Sequence, residues 1–253
     1  MIQAIDILAI GAHPDDVELG CGGALAALRE RGKTFGILDL TRGEAGTRGT
    51  PEIRARESAE AARILGATFR TALDLGDGNL RTDRDAELQV IDVVRRARPR
   101  LVFAPHEKDR HPDHVRASRL SVSASFYAGL RSLVREEPAH RPQQVVFYLS
   151  SFVAEPSFLV DVTDVFDRKV ASIRAYASQF YDPLSEEPRT FISSEEYFLG
   201  IEARAQTFGR LANVRHAEAF VSNAPPVLAD PVAAFEGYEP EDPAPRAGSR
   251  YPR

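Results

Sequence analysis

Cysteine is almost missing from this 253-residue chain. Cys21 stands alone, so no intrachain disulfide can form, and a thiolate metal cluster is not expected. Long apolar runs are missing too. Nothing approaches the roughly 18 consecutive apolar residues of a membrane-spanning helix. The opening residues, MIQAIDILAIGAHPDD, carry no basic leader and no small-residue cleavage site, so no signal peptide is read there. Excess positive charge is absent: the net charge is -5, with acids and bases interspersed, which argues against a nucleic-acid surface. Lys33, Lys108 and Lys169 are the only lysines, so nearly all of the 32 basic residues are arginine. A GC-rich genome gives such a bias, and so do arginines that grip an anionic substrate; composition does not separate the two. These absences together fit a cytoplasmic protein that meets neither nucleic acid nor membrane.

What is present is an alternation of short apolar runs with longer helical periods. Residues 5–12, 34–41, 69–75, 100–106, 145–151, 158–164 and 217–222 read as strands. Helices are expected over 16–32, 50–67, 84–97, 113–130, 164–180 and 193–212. The clearest is 50-TPEIRARESAEAARILGA-67. It has Thr50 as N-cap, Pro51 at the first helical position and Gly66 as the stop. Such alternation implies an α/β fold with a mostly parallel sheet and helices on both faces. No internal repeat is seen. The chain divides into a domain over 1–222 and an irregular extension over 223–253, where seven of the 17 prolines fall.

Two clusters carry chemistry. The first, 11-GAHPDDVELGCGG-23, follows the first strand; the second, 106-HEKDRHPDH-114, follows the fourth. In a doubly wound sheet those strands are often neighbours where strand order reverses, and ligands bind beyond their carboxyl ends. The glycines suit tight turning and close helix packing rather than a phosphate cradle, because GxGxxG spacing is absent. Cys21 reads as a packed small residue. Histidine and carboxylate donors without thiolate suit a catalytic metal with three protein ligands. His13 and Asp16 can reach one ion from a turn, and His114 supplies the third ligand. Asp15 is left free as general base. His111 is left to polarise a carbonyl, with Asp113 as its hydrogen-bonding partner. Taken singly, each residue has a plainer reading: Asp15 or Asp16 as the cap of the first helix, and HPDH as a polar turn opening another.

The two motifs at this spacing resemble the LmbE/PIG-L deacetylases, zinc enzymes that hydrolyse the N-acetyl group of glucosamine derivatives. The likeness extends over roughly residues 4–222. The segment 38-LDLTRGEAGTRGTPEIRARESAEAARILGA-67 is most similar to the bacillithiol-biosynthesis branch, which deacetylates N-acetylglucosaminyl-malate. The resemblance implies a Rossmann-like three-layer α/β/α sandwich. It implies zinc held by His13, Asp16 and His114, with Fe²⁺ able to use the same ligands. It also implies Asp15 as base and His111 with Asp113 at the oxyanion. Arg54 matches a sugar-contacting arginine, and Asp77, in LGDGNL, matches an acidic sugar contact in a loop one residue shorter than usual. A homo-oligomer, a hexamer in the closest branch, is implied as well. Glu44 either contacts sugar hydroxyls or supports its loop. Arg42, Arg48, Arg54, Arg56 and Arg110 fall in or near the crevice loops, where one or two should meet the carboxylates of a malate substrate. Tyr181 and Tyr197 either rim the pocket or pack in the core, and His216 is expected to pack. Other deacetylase substrates stay open: a mycothiol-type inositol glycoside, a chitooligosaccharide, or the amide of a thiol conjugate. A non-haem iron oxygenase and a nucleotide-binding module are more distant alternatives.

Overall fold

The computed structural model describes residues 4–152 and 154–235. The expected extension is therefore seen only to Phe235, and its remainder lies outside the described residues. Among the described residues, seven strands and six α-helices follow one another as β1 (Ile7–Gly11), α1 (Asp16–Glu30), β2 (Phe35–Asp39), α2 (Pro51–Leu65), β3 (Phe69–Ala72), α3 (Arg84–Ala97), β4 (Leu101–Pro105), α4 (Pro112–Ala128), β5 (Gln144–Tyr148), β6 (Phe158–Asp161), α5 (Phe166–Arg174), α6 (Glu195–Leu211) and β7 (Ala217–Ser222). They build one sheet in the order β3-β2-β1-β4-β5-β7-β6. The first five strands run parallel, while β7 runs antiparallel to both β5 and β6.

The apolar runs of β1 and β2 have a direct cause: both faces of the sheet are covered. Along β1, Ile7 and Ala9 join the core beneath α1 and α5, whereas Leu8 and Ile10 join the opposite core beneath α3 and α4. α1 lies so close to β5 that a Cβ on Gly20 would sit 2.1 Å from the Tyr148 ring. The ring is fully buried there, and its hydroxyl donates to Ile10 O at 2.9 Å. This approach accounts for Gly20; a Cβ on Gly23 would sit 2.9 Å from Val162 Cγ1, and Cys21 packs in the same core. α2 starts as expected: Thr50 Oγ1 accepts from Ile53 N at 3.3 Å, and Gly66 takes φ 81° at the stop.

One helix departs from expectation. The period over 164–180 suggested a single helix, but a 3-10 turn at Thr163–Val165 leads into α5, which stops at Arg174. Beyond it the chain makes one more turn, with Phe180 N donating to Tyr176 O at 3.2 Å, and its side chains are fixed by tertiary hydrogen bonds. Tyr176 is buried with its hydroxyl on Glu18 at 3.2 Å, and Ser178 donates through both N and Oγ to Glu57 at 2.7 Å. No helix among the described residues is long and apolar enough to cross a membrane.

β1 and β4 are hydrogen-bonded neighbours, with Ile7 opposite Leu101 and Ala9 opposite Phe103. The switch point therefore lies between them. The loop 12–15 and the loop 106–111 leave the sheet side by side.

Candidate active site

Both clusters converge on a cavity of about 350 Å³ at that switch point. It is lined by His13, Asp15, Asp16, Arg54, Asp77, His111 and His114 among others. His13, Asp15, Asp16 and His114 are all buried. Asp16 joins the two loops. Its Oδ1 lies 3.0 Å from His114 Nε2, its Oδ2 lies 3.5 Å from His13 Nδ1, and the same Oδ2 accepts from His13 N at 2.8 Å. The His111 and His114 rings stack with centroids 4.9 Å apart, and His13 stands edge-on to His111 at 4.7 Å.

Carboxylates outnumber cations here, and the titration of the histidines follows. Burial pulls His13 down, but contacts with Asp113, Asp16 and Asp77 override it and hold its pKa well above the usual value. Burial likewise acts against protonated His114, but Asp16 and Asp109 raise it to about 10. Asp16 would be raised by burial, and instead His114 and His13 hold it well below the carboxylate range. A buried cluster that draws this much positive charge fits a divalent cation, which satisfies the same demand. Among the described residues, two sets of three donors have ligand atoms within 4.8 Å of one another: His13, His111 and His114, and His13, Asp77 and Asp113. The expected trio of His13, Asp16 and His114 is not one of these sets; Asp16 faces each ring with a different oxygen. Its chemistry, two imidazoles and one carboxylate, is nonetheless that of a zinc or ferrous site.

Asp15 occupies the N-cap position of α1 without capping it: φ is 110° and its side chain makes no cap hydrogen bond. The plain capping reading is thereby set aside for this residue. Left-handed backbone at a non-glycine is costly and is typical of functional loops. Burial pushes the Asp15 carboxyl up to about 7, against the pull of Arg54, whose Nη2 donates to Asp15 Oδ2 at 3.2 Å. Arg54 is itself buried and also donates to Pro14 O at 2.6 Å and Gly43 O at 3.0 Å. Gly43, at φ 67°, makes room: a Cβ there would sit 2.1 Å from Arg54 Nη1.

The expected pairing of the Asp113 carboxylate with His111 is corrected. The link runs through the backbone: Asp113 N donates to His111 Nδ1 at 3.2 Å. The Asp113 carboxylate turns the other way, accepting from Gly78 N at 2.8 Å, Leu80 N at 3.1 Å and Arg116 Nη1 at 3.0 Å, and facing His13 Nε2 at 3.4 Å. Burial and the neighbouring His13 and His114 lower the His111 pKa. A neutral ring whose Nδ1 accepts carries its proton on Nε2.

The remaining expected residues sort as follows. Asp77 Oδ1 lies 3.0 Å from His13 Nε2, and its Oδ2 accepts from Ala45 N at 2.9 Å. Glu44 braces its loop, accepting from Arg42 N and Asp77 N, both at 2.9 Å. Arg42 pairs with Asp74 on the surface. Arg48 is buried against Ser185 and Glu187, and Arg56 is exposed outside the cavity lining. Arg110 and Tyr197 line the cavity; Tyr181 does not. His216 is a packing residue, stacked on Phe166 at 4.0 Å. The sequence reading missed Asp109, whose Oδ1 lies 3.1 Å from His114 Nδ1 and accepts from His111 N at 2.9 Å. Its signal was its place within HEKDRHPDH.

Comparison with known proteins follows the same span. The PIG-L family model, described as GlcNAc-PI de-N-acetylase, matches residues 8–125, which contain both clusters. A diacetylchitobiose deacetylase of Thermococcus kodakarensis is 30% identical over 228 residues, covering 84% of this chain and 80% of the relative. A 4-oxalmesaconate hydratase of Pseudomonas putida is 29% identical over 197 residues, covering 68% of this chain and 73% of the relative. Among solved structures, a conserved protein of Thermus thermophilus is similar with a TM-score of 0.82 at 44% identity, covering 90% of this chain and 98% of that one.

Proposed function

This chain belongs to the PIG-L de-N-acetylase family, and from that premise we propose that it is a metal-dependent hydrolase of the N-acetyl group of an N-acetylglucosamine conjugate. The finer proposal for the substrate is N-acetylglucosaminyl-malate, the bacillithiol precursor. It rests on the likeness of segment 38–67 to that branch. The observation that carries the chemistry is the meeting, at one buried cavity, of Asp15 raised toward neutrality, a neutral His111 and the His13–Asp16–His114 donor cluster.

His13, Asp16 and His114 would hold the ion, which when bound supplies Lewis acidity and an acidified water. Asp15 is the general base: its carboxylate takes the proton of the attacking water, and a pKa near the working pH suits that task. Arg54 holds the Asp15 carboxylate in orientation from behind. His111 Nε2–H points its proton at the developing oxyanion of the acetamide. The backbone amide of Asp113 fixes the tautomer that allows this. Protonated Asp15 then returns its proton to the leaving amine, giving acetate and the free amino sugar.

The test is acetate and free-amine release by metal-loaded protein from N-acetylglucosaminyl-malate, N,N'-diacetylchitobiose and N-acetylglucosamine. Turnover led by the malate conjugate supports the full proposal. Turnover led by the disaccharide keeps the deacetylase and moves the substrate. No acetate from any of them, with hydration of an unsaturated diacid instead, would move the assignment to the chemistry named for the Pseudomonas relative.

A further inference from the structure

The arginines around the cavity differ in one respect that the sequence hides. Arg42 is paired with Asp74, and Arg48 is committed to Ser185 and Glu187. Arg54 is committed to Asp15, Pro14 and Gly43. Arg204 donates to the Ser150 and Leu19 carbonyls. Arg110 alone of these five has no carboxylate or carbonyl partner among the described residues: its guanidinium lies 4.1 Å from the centroid of the Phe191 ring. A guanidinium stacked on an aromatic face keeps its in-plane N–H fork free.

Arg110 also stands where two cavities meet. It lines the catalytic cavity next to His111, and it lines a second cavity of about 360 Å³. Ser150, Ser151, Phe191 and Tyr197 are shared by both, so the second space continues the first. Arg204 lines the second cavity too, and Glu196 is the one acidic residue among its described lining residues. Phe191 is 61% exposed, and Arg110 lies over one face of its ring.

We infer that the second cavity is the aglycone subsite and that Arg110 is its specificity-determining residue, pairing with a carboxylate on the group attached to the sugar's reducing end. This rests on the deacetylase reading above and narrows the substrate class to acidic conjugates. The planar fork matches a carboxylate in two-point fashion, which an ammonium does not.

The test is binding to zinc-loaded protein in an Asp15→Asn background, so that nothing turns over. N-acetylglucosaminyl-malate and the uncharged methyl glycoside of N-acetylglucosamine are titrated calorimetrically, with and without Arg110→Met. Loss of a charge-assisted pair is expected to weaken the malate conjugate about 10- to 100-fold. The methyl glycoside should keep its affinity, and Arg110→Lys should recover only part of the loss. Equal weakening of both sugars, no weakening of either, or no preference for the conjugate while Arg110 is intact would each overturn the inference. If neither sugar binds, the amino-sugar reading has failed separately. Malate alone then decides the subsite: affinity lost in Arg110→Met supports it, and equal affinity in both proteins overturns it.

Discussion

Helix α1 carries two buried charge clusters within one turn of each other, and they are built on opposite plans. Under the helix, Glu18, Asp39 and Arg70 form a set closed off from the cavity. Arg70 bonds Asp39 at 2.7 Å and 2.8 Å and Glu18 at 2.5 Å, with the Tyr176 hydroxyl on Glu18 as well. At the helix start, Asp15 has a single 3.2 Å contact with Arg54 and opens onto the cavity. The first cluster is also short of positive charge, two carboxylates facing one guanidinium with Glu18 Oε2 unpaired, but it lines no part of the cavity and holds α1, β2 and β3 together. The second is short of it where the cavity gives access. That imbalance is what a cation and a substrate can complete. Burial is common to both; opening onto the cavity marks the candidate site.

The largest effect should come from removing the ion from the open cluster. Chelation is expected to take acetate release to background and added Zn²⁺ to restore it, while circular dichroism shows the fold retained. Next comes His111→Phe, which removes the oxyanion donor without touching the carboxylates; kcat should fall about 10²- to 10³-fold at little changed metal content. The closed cluster should respond in stability instead. Arg70→Met leaves two buried carboxylates unpaired and should cost about 3–5 kcal/mol in denaturant unfolding, while the folded enzyme keeps a near wild-type kcat. If that variant lost rate but not stability, the division between the clusters would be wrong. Arg54→Met sharpens the comparison. Arg54 lowers the Asp15 pKa, so its loss raises it; because the base must be ionised, the acid limb of the kcat profile should move to higher pH. The smallest expected effect is on stability. The Asp15 carboxyl is raised from 3.8 to about 7, so its ionisation disfavours the folded state above pH 4, increasingly up to about pH 7. Metal-free Asp15→Asn should therefore melt above the wild type at about pH 8, with the gap closing toward about pH 4.

Much of this was legible in the sequence. Strands β1 and β4 could be placed because their apolar runs are bounded by the polar motifs. Their adjacency followed from doubly wound topology, which brings His13, Asp15, Asp16, His111 and His114 to one crevice. What escaped was direction. Asp113 lies two residues from His111, yet its carboxylate faces the amides of Gly78 and Leu80, residues that no local pattern connects to it. The end of α5 escaped for a similar reason: Tyr176 and Ser178 leave the helix for partners on α1 and α2. The arginines were indistinguishable by composition. Only their partners, spread across several segments, separate the committed Arg48, Arg54 and Arg204 from the stacked Arg110.

The central claim is that Asp15 is the base of a metal-dependent deacetylation. The most direct measurement is metal content together with single-turnover acetate release for Asp15→Asn beside the wild type. The account predicts one ion per chain in both proteins and a rate lower by about 10²- to 10⁴-fold in the variant. An unchanged rate at equal metal content would contradict it.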